Sequence, residues 1–518
     1  MNNAGITYLQ KELFIATIAY CFIFSILITS GLSLVVTRFI ADQIYAKKYS
    51  AIKNAYYGSH VIILPIAALL SFVFLFNVNE PFFYKAVAYI FFVELVVIWI
   101  QNVFMSALKD YKRIFRGFLI ASIISIIVSY LLYTFTAVSP VIVALLGMNV
   151  GFASILILNS YHFESVFPKT EDQHYFKFLV YIKRIPSLFI NGILVYSAVY
   201  IHTFVYWFLS DHHVLISHQY YLMPLYDIPV FYAYVSVLPS LIFFVVIIET
   251  DFFEKFLNYY KNVTDGGTYE SLQMAKKNMR KVLLQRIAFL AEIQLLFTTL
   301  SIAAGLILLP KIGFSMQQID VFITLCFAYF FFILMFVLLH ILMYFDDQKG
   351  ILILGISFII IATVLTYITM VFGVDGVGMF IASFIGLCLV LLRILYLIEN
   401  IDYYTFCPQP VLTMNAKTHV KKQKRKKRFS IITTILLVCL LSGCIEEQEN
   451  KSQLNEGNST QLSGISTAIQ IDDKRIYERD DDSSIKTLYV TILPNKKDPE
   501  LDWYGLNQIR ERYNEDNF

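Results

Sequence analysis

The sequence predicts an all-α polytopic membrane protein. Of its 518 residues 58% are hydrophobic and only 15% charged, and the mean hydropathy is +0.64. A soluble domain is roughly half apolar and a quarter charged, so a soluble fold has no place to hide this much apolar surface. The apolar residues gather into runs long enough to cross a bilayer, and the Lys and Arg residues between the runs alternate in abundance. Phe and Tyr, at 46 and 35 copies, suit long spans with amphipathic rings near the headgroups.

A transmembrane helix needs roughly 20 apolar residues at about 1.5 Å rise. Such runs lie near 13–38, 60–79, 84–107, 117–138, 140–161, 186–209, 226–249, 287–310, 320–344, 351–373 and 377–398, giving about eleven spans. Helices are required because hydrocarbon leaves every backbone N–H and C=O to be paired within its own segment. The runs are also about twice the length that a barrel strand takes.

The connecting segments divide into two sets. One holds Lys47, Lys48 and Lys53, then Lys109 to Arg116, Lys177 to Arg184, Lys255 to Arg286, Lys349 and the tail from Asn400. The other is almost free of Lys and Arg: Asn77–Phe83, Val138–Pro140, Ser210–Pro224 and the loop of Lys311. Basic loops face the cytoplasm, which puts the C-terminal tail inside and the N-terminus outside. That odd count leads us to expect a further helix ahead of the first. Between spans, Asn262–Arg286 is basic and polar, and Thr268 is positioned to cap a helix beginning there.

Charged groups within apolar spans cost several kcal/mol and are by default candidates for a substrate or ion pathway. They are Glu94, Asp227, Glu249, Glu292 and Arg393, with Arg38 and Asp42 at the inner end of the first span. Arg38, Asp42, Glu249 and Arg393 lie near span ends, where interfacial or snorkelling placement competes with a pathway role. Arg38 and Asp42 also have the i, i+4 spacing of a helical ion pair. Glu94 is mid-span, open to a pathway or a structural reading. Asp227, in Tyr226-Asp227-Ile228-Pro229, suits a first-turn carboxylate as well as a pathway. Pro229 and Pro239 recur in one span, and broken helices are a device of transporters. His212, His213 and His218 are expected to be solvated, not metal-bound, and the six scattered cysteines have no metal-ligand or disulfide spacing. No Walker, dinucleotide, HExxH or GxSxG motif occurs. We therefore expect no cofactor, no metal, no nucleic acid and no enzyme activity.

Four stretches carry a resemblance: Thr37-Arg38-Phe39-Ile40-Ala41-Asp42-Gln43-Ile44-Tyr45, Tyr226–Tyr234, Glu249–Phe256 and Asp402-Tyr403-Tyr404-Thr405-Phe406. With them the chain resembles, over about residues 5–410, the PelG family, the polytopic membrane subunits of Pel exopolysaccharide secretion, distantly related to the multidrug/oligosaccharidyl-lipid/polysaccharide flippases. The resemblance implies a flippase-like bundle of two six-helix halves around a cavity. It implies as partners a cytoplasmic Pel glycosyltransferase, a cyclic-di-GMP receptor membrane subunit and a cationic, N-acetylhexosamine-rich polysaccharide. It implies a function in biofilm matrix formation. Members begin with one more helix than this chain and end soon after the Asp402–Phe406 motif. A membrane-embedded acyl- or glycosyltransferase, or a scaffold for the synthase, are the competing functions. Within this frame the pathway candidates are Glu94, Asp227, Arg38 and Asp42, and Lys276, Lys277 and Arg280 are candidates for docking the synthase.

The expected organisation is a transporter bundle over 1–406, a basic cytoplasmic linker over 407–428, an apolar segment over 429–444, and a polar extension over 445–518. The last three read as the start of a separate lipoprotein: a basic Lys421–Arg428, an apolar run of about 15 residues that is short for a span, and Leu441-Ser442-Gly443-Cys444, similar to a lipobox with Cys444 as lipidation site. A twelfth, short span with a chance cysteine is the alternative.

Overall fold

The computed structural model describes residues 8–108, 111–167, 174–247 and 252–406. Glu249, Cys444 and the linker, apolar segment and extension expected after residue 406 lie outside the described residues. The helices are α1 (Tyr8–Tyr45), α2 (Tyr49–Phe76), α3 (Phe82–Ala107), α4 (Tyr111–Phe135), α5 (Pro140–Val166), α6 (Leu179–Arg184), α7 (Pro186–Leu209), α8 (Pro224–Val235), α9 (Leu238–Ile247), α10 (Phe253–Thr264), α11 (Tyr269–Leu308), α12 (Met316–Tyr344), α13 (Gln348–Val371), α14 (Val377–Glu399) and α15 (Ile401–Phe406). A two-stranded antiparallel hairpin, β1 (Val214–Ile216) and β2 (Tyr220–Leu222), joins α7 to α8. Among the described residues 11 helical segments are long and apolar enough to cross a membrane, with α8 and α9 sharing one of them.

Local chemistry explains where the helices begin. Pro140, Pro186 and Pro224 occupy first turns, where the missing N–H leaves no bond unmade. Thr268 caps α11 by accepting from Ser271 N, as expected. Ser315 and Gln318 form a reciprocal capping box on α12. Two differences from expectation stand out. Helix α11 runs 40 residues, about 60 Å at 1.5 Å per residue, so its basic N-terminal half stands clear of the hydrocarbon. The span expected as one helix over 226–249 is two, interrupted at Ser236 and Val237.

The packing repeats. In the first set α1 and α5 pack on α3, α2 on α3 and α4 on α5; in the second, α8 and α14 pack on α12, α11 on α12 and α13 on α14. Helix α7 packs against both α1 and α13 and so joins the sets. Helix α12 is the most enclosed, with 67% of its span buried against 6% for α4. Apart from its contact with α5, α4 turns its apolar side chains outward, where lipid accepts them without penalty.

Small residues set the closest helix pairs. A Cβ on Gly147 or Gly151 of α5 would fall 2.7 Å from Ser125 O and 2.5 Å from Ala121 O of α4 respectively. This Gly-x-x-x-Gly face lets backbones approach where lipid supplies no hydrophobic drive between helices. A Cβ on Gly192 of α7 would lie 2.5 Å from Ser30 O of α1, which makes the α1–α7 crossing equally close.

Candidate functional site

Several of the basic segments are joined by polar contacts. Arg38 reaches Asp42 at 3.6 Å and Asp346, in the α12–α13 turn, at 3.9 Å. Tyr181 of α6 donates to Asp42 at 2.5 Å. Burial and the Asp42 carboxylate both raise the Tyr181 phenol, so it remains a neutral donor. Gln348 donates to Asp346 at 3.1 Å, and Asn191 of α7 donates to the Gln348 backbone and side-chain oxygens at 2.9 and 3.0 Å. The two pathway candidates Arg38 and Asp42 thus belong to a polar closure that ties the first set of spans to the second. The i, i+4 pairing expected of them is one edge of it.

Arg393 forms a two-pronged ion pair with Asp347, Nε to Oδ2 at 2.6 Å and Nη2 to Oδ1 at 2.9 Å. Asp347 also caps α13 by accepting from Gly350 N at 3.0 Å. Lys53 is buried and paired with Glu164 at 2.6 Å, tying α2 to α5, and Tyr57 donates to the same carboxylate.

Midway along the spans lies the α8–α9 interruption. Pro239 follows it, and a proline ring can neither donate an N–H nor sit beside the carbonyl one turn earlier. Gln294 of α11 donates to the Ser236 carbonyl, inside the interruption, at 3.4 Å and bonds Thr298 at 3.0 Å. Gln294 Oε1 and Ser240 Oγ are buried and have no hydrogen-bond partner among the described residues. Beside the break, Tyr234 stands edge-on to Tyr329 of α12 at 5.6 Å. Tyr329 meets Nε2 of the fully buried His202 at 3.3 Å, while His202 Nδ1 meets the Tyr226 hydroxyl at 2.9 Å.

Asp227 sits at the end of the bundle opposite the basic loops. Its Oδ2 accepts from Met223 N at 2.8 Å and Trp207 Nε1 at 2.9 Å. The capping role is present in the geometry, and the second oxygen, Oδ1, is buried without a partner among the described residues. Tyr20 stacks on Trp207 at 4.7 Å, and Tyr206 donates to Asp375 at 2.8 Å. The hairpin turn, with Ser217 and His218 both at positive φ, is held by Asn79 N on Ser217 O at 3.0 Å and by Ser217 Oγ on Glu80 at 2.6 Å. Among the described residues no cluster of three or more metal-ligating side chains occurs.

The remaining candidates are dispersed. Glu94 shares a face of α3 with Val87, Ile98 and Gln101, the residues that meet α5 through Asn149, Ile155 and Ser160; its Oε2 is buried and has no hydrogen-bond partner. Glu292 is exposed on α11. Lys276 bonds the Glu399 carbonyl at 2.8 Å and Arg280 its carboxylate at 3.3 Å, gripping the C-terminus of α14, where a helix dipole favours cations. Lys277 is exposed, as Arg280 is. Asp346, Asp347, Gln294 and His202 were not singled out from sequence, though His202 and Gln294 carry a usable signal: uncommon polar side chains inside apolar runs.

A family model described as "Putative exopolysaccharide Exporter (EPS-E)", PelG, matches residues 1–406. A search of curated proteins gave no match. The chain is similar to an inward-facing multidrug resistance MATE family transporter of the MOP superfamily, at 13% identity and TM-score 0.46, covering 76% of this chain and 92% of that one. It is likewise similar to an outward-facing form, at 13% and 0.49, covering 77% and 90%. A MOP superfamily transporter from Pyrococcus furiosus matches at 14% and 0.44, covering 77% and 88%. The family model spans every transmembrane segment described above, and the chain belongs to the PelG family of exopolysaccharide exporters.

Proposed function

We propose that this chain is the membrane subunit through which a Pel-type, N-acetylhexosamine-rich exopolysaccharide crosses the cytoplasmic membrane for the biofilm matrix. It receives the polymer on its basic face from a cytoplasmic glycosyltransferase, under control of a cyclic-di-GMP receptor membrane subunit. Family membership over residues 1–406 carries this reading. It is supported by the position of Arg38 and Asp42 in a polar closure of the basic face, which must part for polymer to enter, and by Asp227 at the far end, where a carboxylate would attract a cationic chain. The ion pairs of the closure oppose this little: Arg38, Asp42 and Asp346 are partly exposed, and such pairs contribute about 1 kcal/mol or less. Deleting the gene and measuring polymer in the medium and in the cytoplasm tests the reading. Polymer trapped inside is the expected result, and absence of any polymer would favour an enzyme or a scaffold.

The synthase docks on the protruding half of α11. Because Lys276 and Arg280 are turned to Glu399, the outward strip is Met274, Lys277, Lys281 and Leu284, all exposed and spaced along one helical face. Lys277→Glu with Lys281→Glu is expected to abolish co-purification of the glycosyltransferase while leaving the protein in the membrane. Undiminished co-purification would place docking elsewhere.

A further inference from the structure

The protruding half of α11 has two faces. Its outward strip is Met274, Lys277, Lys281 and Leu284, while Leu272, Ala275, Met279 and Leu283, turned the other way, are buried. That buried face belongs to one apolar cluster with Phe252 and Tyr259 of the α10 segment and with Leu338 and Leu342 of α12. Helix α10 packs on α11, and Phe252 at its N-cap is fully buried. The two helices therefore form an arm seated against the inner end of α12.

The arm rests on one turn. Phe256 of α10 meets Phe345 edge-on with ring centroids 5.5 Å apart, and Phe252 meets both Tyr344 and Phe345 at 6.1 Å. Tyr344 ends α12, and Phe345 is its C-cap. The next residue, Asp346, is the one that Arg38 of the first set reaches at 3.9 Å. Asp346 holds φ at +54°, a left-handed conformation that a non-glycine residue keeps where its surroundings fix it. Asp347 follows, held by Arg393 of α14 at 2.6 Å, and α14 is met in turn by Lys276 and Arg280 of α11 at Glu399. Three consecutive residues thus touch the arm, the closure and a helix that the arm also engages.

Aromatic rings packed edge to face have a preferred geometry, and a close-packed interior transmits displacement instead of absorbing it. A tilt of the arm therefore carries Phe345 and the turn with it. The Arg38 contact to Asp346 is long and partly exposed, so a small shift of the turn breaks it. Resting on the exporter reading and its docking strip, we propose that the turn from Phe345 to Asp347 transmits engagement of the glycosyltransferase on α11 to the basic-face closure, opening the path when the synthase is seated. The occupied strip selects one setting of the arm, and the closed Arg38–Asp346 contact belongs to the other. Such a device suits a path wide enough for a sugar chain, because a path left open without polymer would leak ions.

The test compares the wild type, the Phe256→Leu/Phe345→Leu double variant and that variant with Asp346→Asn added, measuring secreted and cytoplasmic polymer, membrane protein level and co-purified glycosyltransferase in each. Paramagnetic labels at Lys47→Cys and Lys349→Cys, both exposed positions, report the separation of α1 from α13 with and without the glycosyltransferase, in a background whose native cysteines are alanine. The leucine pair should keep the glycosyltransferase but lower secretion about tenfold, with polymer held in the cytoplasm. Adding Asp346→Asn removes the charge that Arg38 meets and should bring secretion back to within about twofold of the wild type, a recovery that a misfolded protein would not show. The labels should move apart when the glycosyltransferase binds the otherwise wild-type protein and stay in place in the leucine pair. Undiminished secretion by the leucine pair, no recovery with Asp346→Asn in a protein that reaches the membrane, or an unchanged separation in the wild-type complex each overturns the transmission. If the leucine pair is missing from the membrane or loses the glycosyltransferase, the wild-type separation decides, and an unchanged value overturns the proposal. Undiminished co-purification with Lys277→Glu/Lys281→Glu removes the docking strip, and a gene deletion that still secretes polymer, or makes none, removes the exporter reading. Docking and trapping as expected, beside a closure that does not move, remove only the transmission.

Discussion

Gly192→Val is expected to abolish polymer secretion and to lower the melting temperature of the purified protein, at a cost of about 3 kcal/mol or more. The Cβ it introduces would stand 2.5 Å from Ser30 O and 3.0 Å from Gly31 Cα of α1. Both are backbone atoms, so no rotamer change relieves the overlap and the helices must move apart. Helix α7 packs on both α1 and α13 and carries Asn191, so displacing it disturbs the junction of the two sets of spans and the basic-face closure together. Gly31→Ala should be milder, because its Cβ would meet only the Phe189 ring, at 2.8 Å, and a ring can turn aside. Secretion assays with thermal melts check both, and a Gly192→Val protein that melts and secretes like the wild type would refute the close crossing.

Arg393→Leu is expected to destabilise the protein by about 3 kcal/mol, the lower end of the cost of leaving a buried charge without its partner. The lower end applies because the arginine side chain is 28% exposed, while that of Asp347 is 8%. Asparagine keeps the capping geometry at a helix start, so adding Asp347→Asn to Arg393→Leu should recover much of the loss by removing the stranded carboxylate. Thermal melts of the two single variants and the double give the coupling; a double variant no more stable than Arg393→Leu alone would show that the pair contributes little. Function should follow stability here, since Asp347 begins the helix whose Gln348 holds Asn191.

The basic residues on α11 show how far a sequence reading reaches. Lys276, Lys277 and Arg280 look alike in a list of charges, and the spacing alone makes each a surface cation. In the bundle, α14 ends beside α11 and engages Lys276 and Arg280 through Glu399 at the surface, while Lys277 lies on the neighbouring exposed strip. Glu94 follows the same logic: its depth is legible, but the neighbour it meets depends on the rotation of α3 against α5. Asp227 is readable as a cap because capping is local, whereas its bond to Trp207, twenty residues earlier in the chain, is not.

The sequence by itself determined the eleven spans, their alternation between a basic and a non-basic side, the Thr268 cap and the family. Those follow from local quantities: the apolar length that crosses hydrocarbon, the charge of each loop, and the first turn of a helix. Tertiary structure alone decided the closure from Arg38 to Asp346, the partner of Arg393, and the contact of Gln294 with the broken α8–α9 span. In lipid an apolar stripe does not distinguish the face turned to a neighbouring helix from the face turned to hydrocarbon. Helix rotation is set instead by close approaches at residues such as Gly192 and Gly147, and by polar groups seeking partners far away in the chain.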